Sequence, residues 1–207
     1  MTRVLIINSS PNPDLSLSRM LSDHFSTTWK QAHPEAEIVI RDVGLNPLPH
    51  LNYATIGAFY TPEEERTDEQ KEILALSDAI VAEAMVADVI VIASPMHNFG
   101  VTSGLKAWID HLARVGLTFN YTENGPVGEL INRKVFVLTA RGGAYSNGAP
   151  ASAMDHQEPF LRTALGFVGL DDILFIHAEG AAIGTEGRDK AMALIEDAIA
   201  EEFSAAA

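Results

Sequence analysis

Five short apolar segments, separated by segments with helical periodicity, constrain the fold more than any other feature of this sequence. They are Val4–Ile7, Glu37–Ile40, Val89–Ala93, Val135–Thr139 and Ile173–His177. Three of them are almost continuous runs of Val, Ile and Leu, which is typical of parallel strands covered on both faces. The alternation predicts β-α-β units, which join by right-handed crossovers into a doubly wound sheet.

Five further segments carry apolar residues at helical spacing. They are Arg19–Ala32, Asp68–Val86, Ser103–Val115, Glu158–Val168 and Glu186–Phe203. Five such β-α units fit the flavodoxin-like strand order 2-1-3-4-5, so we expect an α/β fold with a five-stranded parallel sheet and helices on both faces. The length of 207 residues suits a single domain of this kind, covering residues 1–207.

Three segments without a clear period interrupt this alternation. Val43–Arg66 contains three prolines, Phe119–Asn132 follows the third predicted helix, and Gly142–Gln157 is rich in Gly, Ala, Ser and Pro. We interpret all three as loops. Long loops in compact domains are usually functional or disordered.

Composition narrows the classes of function. The formal net charge is −14, so the chain repels phosphate backbones, and neither nucleic acid nor an anionic membrane surface is an expected partner. No apolar run reaches the roughly 20 residues of a membrane-spanning helix. The absence of cysteine excludes disulfides, iron–sulfur clusters and cysteine nucleophiles, and the seven histidines form no metal-binding motif. We therefore expect a cytoplasmic protein without a bound metal.

Open α/β sheets bind ligands beyond the carboxyl ends of their strands, where the strand order reverses. In the order 2-1-3-4-5 the loops after strands 1, 3 and 4 form that crevice. The loop after strand 1 matches neither the Walker A pattern nor the G-x-G-x-x-G pattern. It does offer the hydroxyls of Ser10, Ser16 and Ser18 and the free N–H groups of a helix N-terminus, which suit one terminal phosphate. The alternative is that Ser16 or Ser18 only caps the helix.

The loops after strands 3 and 4 suit a flat heteroaromatic ring. Met96, Asn98 and Phe99 combine a thioether, an amide and an aromatic ring, which together can contact a ring face and hydrogen-bond to its edge. The alternative is a turn that buries Met96 and Phe99 in the core. Gly142 and Gly143 let the backbone approach a ligand or take positive φ, although an ordinary turn would also explain them. Three unusual loops at one predicted edge favour a binding site.

Two short segments are specific enough to indicate a family. They are Pro95-Met-His-Asn-Phe99 and Tyr121-Thr-Glu-Asn-Gly-Pro126. With them the chain resembles, over nearly its whole length, the FMN-dependent NADH:quinone oxidoreductases, also called azoreductases. The resemblance implies transfer of two electrons, as hydride, from NADH or NADPH through FMN to quinones, azo compounds or nitroaromatic compounds. It also implies a ping-pong mechanism, and a homodimer with its active sites at the interface.

The resemblance also assigns residues to the cofactor. It implies that the FMN phosphate lies near Ser10, Ser16, Leu17 and Ser18. The isoalloxazine ring is expected at two further groups of residues, Pro95, Met96, His97, Asn98 and Phe99, and Ala140, Arg141, Gly142 and Gly143. Five aromatic residues are candidates for the walls of a substrate pocket, with core packing as the alternative for each: Phe59, Tyr60, Phe119, Tyr121 and Phe167. No catalytic side chain is expected, because the flavin carries the chemistry.

The chain departs from the family pattern at two positions. His97 stands where the family often has Tyr, and Ala140 stands where it often has Ser. Main-chain contacts to a cofactor would survive both changes, whereas contacts from a side-chain hydroxyl would not. The choice between NADH and NADPH stays open, because no arginine cluster for a 2′-phosphate can be assigned.

Two other functions are compatible with the same fold. A non-enzymatic electron carrier would have a short phosphate loop rich in Gly and Ser or Thr, whereas the loop here is longer and contains Pro11 and Pro13. A signalling receiver domain needs acidic residues after strand 1 and at the end of strand 3. The chain has Asn8-Ser9 and Ser94-Pro95 there, which excludes that function.

Overall fold

The central sheet of the protein has five parallel strands. A computed structural model describes residues 1–182 and 184–205, with side chains up to residue 201. Within these residues the strands are β1 (Arg3–Asn8), β2 (Glu37–Asp42), β3 (Val89–Pro95), β4 (Phe119–Thr122), β5 (Gly125–Gly128), β6 (Lys134–Ala140) and β7 (Ile173–Ala178). The central sheet has the order β2-β1-β3-β6-β7, with every pair parallel. Counted among the sheet strands alone, this is the predicted order 2-1-3-4-5, which is confirmed.

Helices cover both faces of this sheet, also as predicted. They are α1 (Leu17–Ala32), α2 (Tyr53–Phe59), α3 (Asp68–Val86), α4 (Ser103–Leu112), α5 (Gln157–Phe167) and α6 (Glu186–Ala205). Successive strand residues point to opposite faces. In β1, for example, Leu5 and Ile7 join the core under α3, α4 and α5, while Val4 and Ile6 join the core under α1 and α6. None of these helices is long and apolar enough to cross a membrane.

Two of the three segments predicted as loops contain an α-helix or β-strands, so that part of the prediction was wrong, while the third contains only a short 3-10 helix at Ser152–Met154 before α5 begins. The first contains α2, whose N-terminus is capped by the Asn52 side chain accepting the Thr55 N–H at 2.9 Å. A helix of seven residues has too few apolar positions to show a period. The second contains β4 and β5, which form an antiparallel hairpin. Its turn ends at Gly125 with φ of 108°, which glycine adopts without strain.

Candidate functional site

The three predicted loops leave adjacent strand ends and are tied to one another there. The Ser9 N–H and hydroxyl both donate to the Ala93 carbonyl, at 3.1 and 2.9 Å, which joins the ends of β1 and β3. The Met96 N–H donates to the Ala140 carbonyl at 2.8 Å, which joins the ends of β3 and β6. We call the three segments the β1 loop (9–16), the β3 loop (96–102) and the β6 loop (141–156). The loops therefore lie side by side at the carboxyl edge of the sheet, where a fold of this kind binds its ligand, and we call the space between them the crevice.

The β1 loop ends at a capped helix that still has free amides. Ser16 is the N-cap of α1: its hydroxyl accepts the Arg19 N–H at 3.3 Å and lies 3.1 Å from the Ser18 hydroxyl. Ser10, Ser16 and Ser18 are all buried. The first residues of a helix have no intrahelical acceptor for their N–H groups, which leaves those of Leu17 and Ser18 available. Ser16 therefore caps the helix, and the same turn retains the donors that suit a phosphate group.

A pair of charged residues, which the sequence analysis did not identify, holds the main chain of the β1 loop in place. The Arg19 guanidinium makes two hydrogen bonds to the Asp42 carboxylate, at 2.5 and 2.9 Å, and a third to the Ser10 carbonyl at 2.5 Å. A bidentate pair of this kind fixes geometry as well as charge. Arginine is electrostatically unfavourable in the first turn of a helix. That placement is the signal in the sequence that could have indicated a nearby anion.

The Asp42 carboxylate extends this support to the chain after β2. Its Oδ1 accepts the N–H groups of Gly44 and Leu45 at 3.1 and 2.9 Å. Burial alone would raise the pKa of Asp42, but the hydrogen bonds from Arg19 and these two amides outweigh it and hold the pKa below its usual value. The carboxylate therefore stays ionised beside Arg19 at neutral pH.

Gly44 packs directly on the β1 loop. A Cβ at this position would lie only 2.1 Å from the Ser10 carbonyl oxygen. The Gly44 N–H also donates to the Asn8 carbonyl at 3.1 Å. The two main chains thus approach too closely for any side chain, and the position of Ser10 depends on this glycine.

The β3 loop forms a tight turn at its tip. His97 and Gly100 exchange N–H···O hydrogen bonds, both 3.0 Å long, and the two residues between them take left-handed conformations, with φ of 48° at Asn98 and 69° at Phe99. Non-glycine residues in this region are uncommon and strained, and they cluster at functional sites. Phe99 is 39% exposed, so the alternative that it is buried in the core was wrong. Pro95 and Met96 are partly buried, and His97 and Asn98 are exposed.

The β3 and β6 loops hold each other in place across the crevice. The His156 N–H donates to the Phe99 carbonyl at 3.0 Å, and the Tyr145 ring lies edge-on to the Phe99 ring with centroids 6.3 Å apart. Gly142 is exposed, and within the part of the chain that the structure describes a Cβ there would have only the Ala182 Cβ, at 3.9 Å, within contact distance. Neither Gly142 nor Gly143 takes positive φ, so of the two predicted uses only the close approach remains.

Arg141 lies within the β6 loop but does not face the crevice. Its side chain is completely buried, between the carboxylates of Asp155 and Glu179. Ala140 precedes it at the end of β6 and is partly buried. The Arg141 side chain therefore contacts other protein groups and has no exposed surface in the crevice.

The five aromatic candidates fall into two groups, both away from the crevice of their own chain. Phe59 is buried under the Arg114 guanidinium, 4.4 Å from the ring centroid, while the neighbouring Tyr60 is 68% exposed. The other group comprises Phe119, Tyr121 and Phe167. The ring centroid of Phe119 lies 4.5 Å from that of Phe167 and 5.5 Å from that of Tyr121. These residues follow or end α4 and α5, which run from the crevice towards the opposite edge of the sheet. A pocket role for them stays a prediction, and it requires a second chain.

Known proteins resemble this chain over nearly its whole length. The family described as having a flavodoxin-like fold matches residues 2–203. An FMN-dependent NADH:quinone oxidoreductase of Herminiimonas arsenicoxydans is 52% identical over 97% of this chain and 98% of the relative. An enzyme of the same name from Azotobacter vinelandii is 48% identical over 97% and 99%. The crystal structure of an FMN-dependent NADH-azoreductase from Bacillus anthracis, in complex with FMN, is 27% identical and covers 98% of this chain and 99% of its own, with a TM-score of 0.88.

The strand order of the sheet is that of the flavodoxin-like fold, and the family match spans the chain from the first strand into the last helix. The sequence identity of about one half extends from the first strand to the last helix. The chain belongs to the flavodoxin-like family of FMN-dependent NADH:quinone oxidoreductases.

Proposed function

We propose that this chain binds one FMN in its crevice and transfers two electrons from NADH to quinones and azo compounds. The observation that carries the proposal is the convergence of a helix N-terminus, a strained turn and an open glycine at one edge of the sheet. Relatives named for the same cofactor and reaction support it. NADPH as donor and nitroaromatic compounds as acceptors are further substrates to be tested.

The residues of the crevice fit FMN and do not favour FAD. The β1 loop and the start of α1 offer three buried hydroxyls and the free amides of Leu17 and Ser18, which suit a single terminal phosphate. The N-terminus of α4, directly after the β3 loop, offers only the hydroxyls of Thr102 and Ser103, and that of Thr102 accepts the Leu105 N–H at 3.2 Å. FAD would require binding groups for a second phosphate.

The other two loops suit the ring. At the tip of the β3 loop the N–H groups of Asn98 and Phe99 take part in no hydrogen bond among the described residues, so they can donate to a ring edge. The Met96 thioether and the open surface at Gly142 allow apolar contact and close approach. The exposed His97 side chain replaces the tyrosine common in the family, and its main chain keeps its place in the turn.

The protein's task is to bind and orient. FMN, when bound, supplies the hydride transfer chemistry that no side chain of the crevice provides. The loops would hold the reactants at the distance and in the orientation that the transfer needs. NADH and the acceptor would occupy the same crevice in turn, which predicts ping-pong kinetics. The cytoplasmic location expected from the sequence stays a prediction.

We expect the purified protein to carry noncovalent FMN and to oxidise NADH steadily when a quinone is present. Released cofactor should co-migrate with FMN on chromatography. Double-reciprocal plots, with quinone varied at several NADH concentrations, should give parallel lines. Release of FAD would contradict the cofactor assignment, and intersecting lines would contradict the shared crevice. A mere electron carrier would not sustain NADH oxidation.

We also propose a two-fold homodimer, the commonest symmetry among soluble oligomers. Tyr60 and Tyr121 are each 68% exposed, and Ile131 is 56% exposed, which a partner surface would cover. Of the aromatic candidates, the exposed Tyr60 and Tyr121 would then be the ones able to line the crevice of the partner. Light scattering should give about twice the 22.3 kDa mass of one chain. A fully active monomer at micromolar concentration would refute the dimer.

A further inference from the structure

Arg141 is the first residue after β6, and none of its side chain is exposed. Its N–H donates to the Ala178 carbonyl at 2.9 Å, and its carbonyl accepts the Ala181 N–H at 3.0 Å. The main chain is thus bonded to β7 and to the segment that follows it. A side chain without exposed surface does not line an open crevice, so Arg141 acts through the residues that surround it.

The guanidinium contacts three side chains from different parts of the chain. Its Nε donates to Gln157 Oε1 at 3.1 Å. Its Nη1 lies 3.1 Å from Asp155 Oδ2 and 3.3 Å from Glu179 Oε1. The planar, forked shape of the group allows one arginine to contact all three partners, which a lysine cannot match.

Each partner of Arg141 in turn fixes a piece of the crevice. Glu179 Oε1 accepts the N–H groups of Tyr145 and Ser146 at 2.7 and 2.8 Å, which shapes the β6 loop. Gln157 Nε2 donates to the Ser94 carbonyl at 3.3 Å and to its hydroxyl at 3.1 Å, directly before Pro95. Asp155 Oδ1 accepts the Gln157 N–H at 2.9 Å at the start of α5. One buried cation therefore connects the end of β3, directly before the β3 loop, with the β6 loop and the segment after β7.

The charges around Arg141 make this connection depend on the cation. Burial alone would raise the pKa of Glu179, but the hydrogen bonds from Tyr145, Ser146 and Arg141 outweigh it and lower the pKa. Asp155 and Glu179 are thus two carboxylates that share one guanidinium. Without the cation they would repel each other in a poorly solvated place, which favours either protonation or separation of the loops.

We infer that Arg141 is a positioning residue, which sets the spacing of the β3 and β6 loops around the flavin ring without contacting the cofactor. The inference rests on the proposed FMN site and adds the group that holds it in shape. It changes the role expected for Arg141 from the resemblance, where it counted among the residues at the ring.

The test compares Arg141→Met with Arg114→Met. Arg114 is the matched control, because it is also buried, 1% exposed, and paired with a carboxylate, Asp78, but lies at the end of α4. Apo-protein is titrated with FMN by fluorescence quenching at pH 8 and at pH 5, and dissociation constants are divided by the wild-type value at the same pH. This ratio removes the titration of the FMN phosphate itself.

For Arg141→Met we expect FMN affinity about tenfold to hundredfold weaker at pH 8, with the far-UV circular dichroism of the wild type. The loss should shrink at pH 5, because without the guanidinium the pKa of Glu179 rises, and protonation of its carboxyl removes the repulsion from Asp155. The ratio for Arg114→Met should stay near one at both pH values. If Arg141→Met does not fold, Arg141→Lys carries the test, with a smaller loss at pH 8 because the charge remains.

The double variant Arg141→Met/Glu179→Gln identifies the groups that titrate. His177, whose Nε2 lies 2.9 Å from Glu158 Oε2, is another group nearby that can titrate, and its pKa is lowered by burial and by Arg141. If the two carboxylates cause the effect, the double variant should regain affinity at pH 8 and lose the pH dependence. Arg141→Met binding within twofold of wild type at pH 8, or Arg114→Met losing as much, would overturn the inference. A wild-type chain that binds no FMN would overturn the proposed function, and this inference with it.

Discussion

Replacing Gly44 by alanine is expected to weaken FMN binding by about a hundredfold, although Gly44 lies outside all three loops of the crevice. The new Cβ would meet the Ser10 carbonyl oxygen at 2.1 Å and its carbon at 2.4 Å. Both are main-chain atoms, so no flexible side chain can move aside. Forcing extra atoms into a packed place typically costs about 1–3 kcal/mol. If the β1 loop moves to relieve the contact, the same free energy is lost from phosphate binding, and each 1.4 kcal/mol is about a factor of ten.

The measurement is a titration of apo-protein with FMN, together with thermal unfolding. Gly57→Ala is the matched control, since a Cβ at Gly57 within α2 has nothing within 4 Å. That variant should keep wild-type FMN affinity and gain up to about 1 kcal/mol of stability, because alanine loses less backbone freedom than glycine in a helix. Wild-type affinity in Gly44→Ala would mean that the β1 loop does not hold the phosphate.

Replacing Gly142 by valine should weaken FMN binding by about tenfold to hundredfold while leaving the fold intact. In the proposed site the main chain at Gly142 meets the edge of the flavin, and the added methyl groups would stand between them. Losing one or two such contacts is worth roughly 1–3 kcal/mol. The fold should tolerate the change, because the new Cβ would have, among the described residues, only the Ala182 Cβ as a neighbour, at 3.9 Å, and the φ of Gly142 is not positive.

Fluorescence titration and thermal unfolding of the same samples separate the two possible roles of Gly142. If it only shapes a surface turn, FMN affinity should change by less than about twofold, which is typical of surface substitutions. Gly142→Ala should lie between wild type and valine, because its single methyl group reaches less far into the crevice. An unchanged dissociation constant in Gly142→Val would remove the β6 loop from the flavin site.

The sheet could be predicted because buried parallel strands appear in a sequence as continuous apolar runs. The run Val89–Ala93 extends by only two residues in the structure, to Pro95, and Ile173–His177 extends by one, to Ala178. The hairpin of β4 and β5 was missed, although Asn124-Gly125 is a strong turn signal. Its strands have four residues each and include Pro126, which leaves no alternation to detect.

The site was only half predictable, for a related reason. Each loop could be recognised from its own residues. The strand order then predicted that the three loops lie next to one another. The groups that support them could not be recognised, because Arg19 meets Asp42 across 23 positions and Arg141 meets Glu179 across 38. Such pairs depend on side-chain directions that no local pattern encodes. The surroundings of the aromatic candidates could not be predicted for the same reason: nothing near Phe59 in the sequence indicates that Arg114 will cover its ring.

The strained turn at the tip of the β3 loop is held in its conformation by the protein itself. Holding Asn98 and Phe99 at positive φ costs about 1–3 kcal/mol each, and contacts of the protein with itself, such as the hydrogen bond from His156, offset that cost. The least favourable conformation in the site is therefore held by contacts within the protein, so a bound ligand would not have to supply the free energy that maintains it. A binding surface that is preorganised in this way keeps more of its contact free energy as affinity, because little is lost in ordering the loop.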